Sequence, residues 1–215
     1  MANQLQVLIL DFDGVVVESN DVKTQAFEKV FAQFPQHVKA MMAYHHEHVS
    51  LTRFAKFDHL AGLLNRPDDA QLKAKLAADF SKQALTGMMK VPLVPGAEAF
   101  LQWANTRFPV YLASVTPESE LMLVLSERNL TPWFKAVYGC PPWTKPKAIF
   151  DVLLKEHVQP ENTLLIGDSA GDQLAATETG VKFLARNSGL SFNSPAPQAF
   201  ADLDEIGHYL REILK

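Results

Sequence analysis

Val7-Leu-Ile-Leu10-Asp11-Phe12-Asp13-Gly14 is the stretch whose reading decides the fold. Four apolar residues run without a polar break and then stop at two aspartates and a glycine. An uninterrupted apolar run this short reads as a strand buried on both faces. The polar, glycine-containing stop marks a strand that delivers its C-terminal end to something.

Downstream the pattern is helical. Val22, Ala26, Phe27, Val30, Phe31 and Phe34 recur on one face, as do Val38, Met41, Met42 and His45. Leu51, Phe54, Ala55, Leu60, Leu63 and Leu64 form a third stripe, and Leu72, Leu76, Phe80, Ala84 and Leu85 a fourth. No strand is expected between Asn20 and Lys90. Pro92-Leu-Val-Pro95-Gly96 then breaks the pattern. After it, expected helices (Ala97 to Arg107, Glu118 to Asn129, Lys147 to His157, Gln173 to Thr179) alternate with expected strands (Val110 to Ala113, Ala136 to Tyr138, Thr163 to Ile166, and a last one from Val181 to Ala185). Thr116 reads as the N-cap of the second of these helices, with Pro117 at its first position. Alternation of this kind implies an α/β, doubly wound parallel sheet, Rossmann-like, with helices on both faces. The first strand belongs with it. The organisation expected is therefore a core of residues 1–15 and 90–215 with an inserted all-helical domain, residues 16–89. An insertion there falls at the C-terminal edge of the sheet, where open α/β sheets bind ligands, which is the geometry of a lid.

Composition narrows the function. The chain has 215 residues, 47% hydrophobic and 20% charged, with a formal charge of −4. This is an ordinary globular balance with no basic stripe, so neither disorder nor nucleic-acid binding is expected. No apolar run approaches the ~20 residues of a membrane helix, and the first apolar run is too short for a signal peptide. Cys140 is the single cysteine. It excludes an intrachain disulfide and a cysteine-rich zinc site, and it suits a reducing cytoplasm.

Three expected strands end in polar clusters: Asp11-Phe12-Asp13-Gly14, Ser114-Val-Thr116, and Gly167-Asp168-Ser169-Ala-Gly171-Asp172. Parallel strands bring their C-terminal ends to one edge, so four aspartates would meet there and repel. A divalent cation supplies the counter-charge, and a hard ion such as Mg²⁺ takes carboxylate oxygens. A lysine from Lys145-Pro-Lys147 would complete a phosphoryl-transfer pocket. Lys145 is preferred to Lys147. Ile149, Val152 and Leu153 follow it at i+4, i+7 and i+8, which puts it at the mouth of a helix whose apolar face is buried.

Each cluster has a plainer reading. Asp-x-Asp-Gly can open a calcium loop, but Val15, Val16 and Val17 follow where ligands should continue. Ser114 to Pro117, Asp168 and Asp172 could be helix caps, and Lys145 and Lys147 solvated charges. Joint occurrence at three strand ends outweighs these readings. His45, His46 and His48 do not share one helix face, so they read as core-edge and surface residues.

At these residues the chain resembles the haloacid dehalogenase-like (HAD) hydrolase superfamily, in its phosphoglycolate-phosphatase-like branch with β-phosphoglucomutase as a cousin. Asp11-Phe12-Asp13-Gly14 is similar to its first motif and Leu112-Ala-Ser114-Val-Thr116 to its second. Lys145 resembles its third-motif lysine, and Gly167-Asp168-Ser169-Ala-Gly171-Asp172 its fourth motif. The four stand in order, and the helical insertion looks like the family's small C1 cap. The resemblance implies roles. Asp11 is the nucleophile that forms an aspartyl-phosphate, and Asp13 the acid for the leaving alcohol and then the base for water. Gly14 permits close approach of the backbone. Mg²⁺ is held by Asp11, the Asp13 main-chain oxygen and Asp168. Ser114 binds a phosphate oxygen near a helix N-terminus, with Thr116 beside it. Lys145 neutralises charge, and Asp172 orients Lys145 or a metal-bound water.

The activity expected is that of a Mg²⁺-dependent phosphatase acting on a small phosphorylated metabolite, as a monomer or small homo-oligomer, with no nucleic-acid or membrane partner. A phosphomutase of the β-phosphoglucomutase kind is the alternative. A non-catalytic binding protein on the same scaffold is a third, disfavoured by the intact Asp11, Asp13, Lys145 and Asp168 set, and Asp13 argues against a dehalogenase. In the insertion, Arg53 and Lys56 lie three apart and share a helix face. With Leu51, Phe54 and Ala55 turned inward, the two cations are the candidates for gripping an anionic end of the substrate, Arg53 through its bidentate fork.

Overall fold

The computed structural model describes residues 5–215. The chain divides into two compact units: a core unit of residues 1–18 and 92–215, and a helical unit of residues 19–91.

The core unit is built on six parallel strands: β1 (Val7–Leu10), β2 (Val110–Ser114), β3 (Ala136–Gly139), β4 (Thr163–Gly167), β5 (Lys182–Arg186) and β6 (Ala199–Phe200). Their order in the sheet is β3-β2-β1-β4-β5-β6, all pairs parallel. The core unit's helices are α5 (Ala97–Asn105), α6 (Glu118–Glu127), α7 (Lys145–Glu156), α8 (Ala170–Thr179) and α9 (Leu203–Ile213). Period-two alternation sends Val7 and Ile9 of β1, with Tyr111 and Ala113 of β2 and Leu165 of β4, onto α7 and α8. There they meet Ile149, Val152, Ala175 and Ala176. Leu8 and Leu10 point to the other face and are fully buried, so β1 needs apolar residues at every position. Leu10 pairs with Leu112 on one side and Ile166 on the other. The C-terminal ends of β1, β2 and β4 therefore finish in one layer, and strand order reverses at β1.

Several boundaries differ from the sequence reading. Pro117, not Thr116, is the N-cap of α6. Helices α7 and α8 begin earlier than expected, at Lys145 and Ala170. The sheet does not end at β5. The additional strand β6 is only two residues long, too short for a periodic signal, and α9 follows it. The Asp202 carboxylate caps α9 by accepting from the Asp204 and Glu205 N–H groups at 3.0 and 2.9 Å. Among the described residues no helix is long and apolar enough to cross a membrane.

The helical unit contains α1 (Asn20–Phe31), α2 (Val38–Glu47), α3 (Arg53–Leu63) and α4 (Ala70–Met88). Thr52 and Asp69 cap α3 and α4 through their side chains. The core holds Phe27, Phe31, Met41, Phe57, Leu60, Leu76 and Phe80, with the Phe27 and Phe80 rings 4.3 Å apart.

One face is the reverse of the expectation. In α3, Leu51, which precedes it, and Phe54 and Leu63 are exposed, at 40%, 39% and 39%. Arg53, Lys56, Phe57, Leu60 and Ala61 are buried instead. The long side chains lay apolar stems along the core and satisfy their heads inside the unit. Arg53 donates to Ser81 Oγ at 2.8 Å, with its guanidinium 4.4 Å from the Phe80 ring centre. Lys56 Nζ lies 3.0 Å from His45 Nδ1 and donates to the Val49 carbonyl at 3.2 Å, 4.7 Å from the Phe27 ring centre. His45 Nε2 in turn meets Thr24 Oγ1 at 3.0 Å. His45 is thus a core histidine, with both ring nitrogens engaged inside the unit.

Lys56 has no carboxylate among these partners. Burial, with Lys23 nearby, lowers it from 10.5 to about 7. Burial and then Lys56 lower His45 to about 3, so His45 is neutral throughout. Because the unfolded chain holds the lysine proton more tightly, folding is penalised in full below about pH 7 and the penalty fades as pH rises towards 10.5. Lys56→Met should therefore raise Tm at pH 6 by several degrees, at ~2–4 °C per kcal/mol for a chain of this size. The gain over wild type should shrink by pH 10. Thermal melts of both proteins at the two pH values decide it, and a gain independent of pH would show that the ammonium is not strained.

Candidate active site

The acidic cluster forms where β1, β2 and β4 end. Phe12, Val15, Val16 and Val17 are all fully buried in the core unit. They anchor the turn after β1, and its carboxylates Asp11 and Asp13 alternate with that apolar packing. Phe12 O accepts the Val16 N–H at 2.9 Å, and Gly14 N–H donates to Val17 O at 2.8 Å. Gly14 sits at φ 70°, the left-handed region that favours glycine. Asp11 N–H donates to Ile166 O at 2.9 Å, which ties the first aspartate to β4.

From the β2 side, Thr116 Oγ1 and Ser114 Oγ donate to Asp13 Oδ2 at 3.0 and 3.3 Å. Ser114 Oγ also accepts the Thr116 N–H at 3.1 Å. Thr116 is therefore spent on Asp13 rather than on capping α6. From the β4 side, Gly167-Asp168-Ser169 leads into α8. Ser169 caps the helix, and Asp172 returns the bond to the Ser169 N–H, a reciprocal capping box. Asp172 Oδ2 accepts from the Asp168 N–H, the Ser169 N–H and the Ser169 hydroxyl at 3.2, 3.1 and 2.6 Å. Asp172 Oδ1 is gripped by Lys145. Lys145 opens α7, and its Nζ reaches Asp11 Oδ1 at 3.1 Å. Lys147 is exposed.

The structure thus brings together Asp11, Asp13, Gly14, Ser114, Thr116, Lys145, Asp168 and Asp172. Arg53 and Lys56 belong to the helical unit, with heads engaged there. Ser169, inside the fourth motif, is the N-cap of α8. The Ser-x-x-Asp spacing from Ser169 to Asp172 is the signal that reveals its cap.

Electrostatics explain the arrangement. Burial lifts the Asp11 carboxyl well above the usual aspartate range. Lys145 pulls it down, while Asp172, Asp168 and Asp13 push it up again. Burial alone would lower Lys145, but Asp11 and Asp172 outweigh it and hold the ammonium above its ordinary value. One lysine stands between two of these carboxylates, Asp11 and Asp172, and the other two lie close enough to act on Asp11. Oxygens of Asp11, Asp168 and Asp172 come within 4.8 Å of one another. An all-oxygen anionic set fits a hard divalent cation. Both oxygens of Asp172 already hold donors.

A sequence model of haloacid dehalogenase-like hydrolases matches residues 8–186. The chain belongs to this family. It is a hydrolase, and it is similar to phosphoglycolate phosphatase 1 of Pseudomonas aeruginosa, with 26% identity over 197 residues, 88% of this chain and 72% of that protein. In fold it is similar to a predicted phosphoglycolate phosphatase of Haemophilus somnus (TM-score 0.75, 15% identity, 97% of this chain and 99% of that one). It is likewise similar to a candidate β-phosphoglucomutase of Thermotoga maritima (TM-score 0.70, 18% identity, 98% and 100%).

The approach of α8 to β4 is testable. A Cβ on Gly167 would lie 2.3 Å from the Asp172 Cβ and 2.5 Å from its carboxyl carbon. Gly167→Ala must push Asp172 away from Lys145 and from the α8 cap. It should cost ~1–3 kcal/mol of stability, measured by urea unfolding. A variant as stable as wild type would mean that α8 can shift without strain.

Proposed function

We propose that this hydrolase is a Mg²⁺-dependent phosphomonoesterase of the cytoplasm that acts on a small phosphorylated metabolite through an aspartyl-phosphate on Asp11. The observation that carries the reading is Lys145, its side chain only 8% exposed, set between Asp11 and Asp172 beside two further aspartates. A cation in that position neutralises a carboxylate and a phosphoryl group as they approach each other. The names of the Pseudomonas and Haemophilus proteins make phosphoglycolate the first ester to try. The helical unit, residues 19–91, is the part we assign to choosing among substrates.

The steps follow from the residues. An Asp11 oxygen attacks phosphorus as the bond to the alcohol oxygen breaks, forming an acyl phosphate. Asp13 gives its proton to the departing alkoxide. Ser114 and Thr116, which hold its carboxylate here, keep it near the reacting group. Water then attacks the phosphoryl group, Asp13 takes the proton, and inorganic phosphate leaves with Asp11 regenerated. Lys145 compensates Asp11 and the phosphoryl oxygens throughout, and Asp172 fixes Lys145. When bound, Mg²⁺ would add positive charge at the same place, held by Asp11, Asp168 and the Asp13 main-chain oxygen.

Asp11→Asn should abolish phosphate release while circular dichroism and thermal unfolding show a folded protein, because an amide does not form the acyl phosphate. A folded variant with the wild-type rate would refute the covalent route. Wild-type activity should vanish in excess EDTA and return with Mg²⁺; full turnover in EDTA would remove the cation. Asp13→Asn should lose ~10²–10⁴-fold on an alkyl phosphate and much less on p-nitrophenyl phosphate, whose leaving group needs no proton. Equal losses on the two esters would end Asp13's role as acid.

A further inference from the structure

Arg186 ends β5, two strands away from β1, and takes no part in the steps above. It is 8% exposed. Its guanidinium joins three pieces of the core unit. Nε donates to the Ala201 carbonyl at 3.1 Å, and Nη1 donates to the Gly14 carbonyl at 3.3 Å and to Glu18 Oε2 at 3.0 Å. Nη2 meets Glu18 Oε1, so the carboxylate is held bidentately. A buried guanidinium is costly unless its donors are met, and it is not replaceable by lysine in such a fork.

What it grips matters. Gly14 O belongs to the turn that contains Asp13 and closes through the bonds of Phe12 O and Val17 O. Glu18 is the last core residue before the chain enters the helical unit, and Pro92 is the first on return. The two segments run side by side, with Val94 N–H donating to Val16 O and Glu18 N–H to Pro92 O, both at 3.0 Å. Asp13 is held by Thr116 and Ser114 on the β2 side of this turn. Arg186 holds the same turn from the β5 side. Without it, Gly14 O and Glu18 lose their tie to the sheet.

We propose that Arg186 is a positioning residue for Asp13, clamping Gly14 O and Glu18 to the end of β5 so that the turn aims the Asp13 carboxylate. The inference rests on the reading of Asp13 as acid and base.

The test compares Arg186→Ala and Glu18→Gln, each alone and combined with Asp13→Asn, on phosphoglycolate and p-nitrophenyl phosphate. Misaiming one group can cost roughly 10–100-fold in rate. The single variants should lose kcat/KM, which reports the leaving-group step, by that order on phosphoglycolate and much less on the nitrophenyl ester. In the Asp13→Asn background they should add nothing. Equal losses on both esters, losses that multiply with Asp13→Asn, or an unchanged kcat/KM on phosphoglycolate would each overturn the proposal. Should Arg186→Ala fail to fold, Glu18→Gln, at a partly exposed residue, carries the comparison. A readout free of turnover accompanies these. Hydrogen exchange at the Gly14, Val16, Val17 and Glu18 amides should quicken in both variants while α8 amides keep their wild-type rates. Unchanged exchange at the turn would refute the clamp even if phosphate release itself proved absent.

Discussion

Negative charge brought to one edge of a sheet, with a single lysine set into it, is the constraint on which the rest depends. Asp11 would be costly where it stands if left alone, since a carboxylate taken out of water loses several kcal/mol of hydration. Lys145 offsets part of that cost, and Asp172 fixes Lys145. Asp172 is in turn fixed by the start of α8, whose free N–H groups and Ser169 hydroxyl it accepts. A helix terminus, a capping box and a lysine thus become one electrostatic unit. The carboxylate oxygens gathered there form an anionic, all-oxygen set of the kind suited to a hard cation.

The sheet makes that unit possible because its registers agree. Leu10, Leu112 and Ile166 lie in one row, so the residues after them reach the edge together. Had β2 been one residue out of register, Ser114 and Thr116 would miss Asp13. The apolar content of β1 and of Val15-Val-Val17 is therefore a positional requirement as well as a packing one. It locks the turn while leaving its two aspartates to face the polar edge.

Much of this is legible in the sequence for a definite reason. Strands buried on both faces, and polar stops at their ends, leave strong local signals, and Asp11, Asp13, Ser114, Asp168 and Asp172 stand at such stops, while Lys145 is marked by the apolar spacing of the helix it opens. The rest depends on contacts that no local pattern carries. Periodicity turned Leu51, Phe54 and Leu63 inward because it scores Arg53 and Lys56 as polar. Their stems and aromatic partners Phe80 and Phe27 reverse the balance. Thr116 looked like a cap because Pro117 follows it, yet its hydroxyl serves a residue over a hundred positions away. The two-residue β6 is too short to show a period of two.

Burial of charge takes two forms in this chain, and the difference separates its two units. Around Lys145 the core unit gathers the Asp11 and Asp172 carboxyl groups, so that the ammonium is held in its charged form. Around Lys56 the helical unit offers a neutral imidazole, a carbonyl and a ring face, which accept hydrogen bonds but supply no counter-charge. The first environment raises the lysine and the second lowers it. Lys145 therefore stays positive where a phosphoryl group needs it, while Lys56 is poised between charged and neutral near pH 7. The same residue type is fixed as a cation in one unit and left able to shed its proton in the other, and what decides is the company of carboxylates rather than depth of burial.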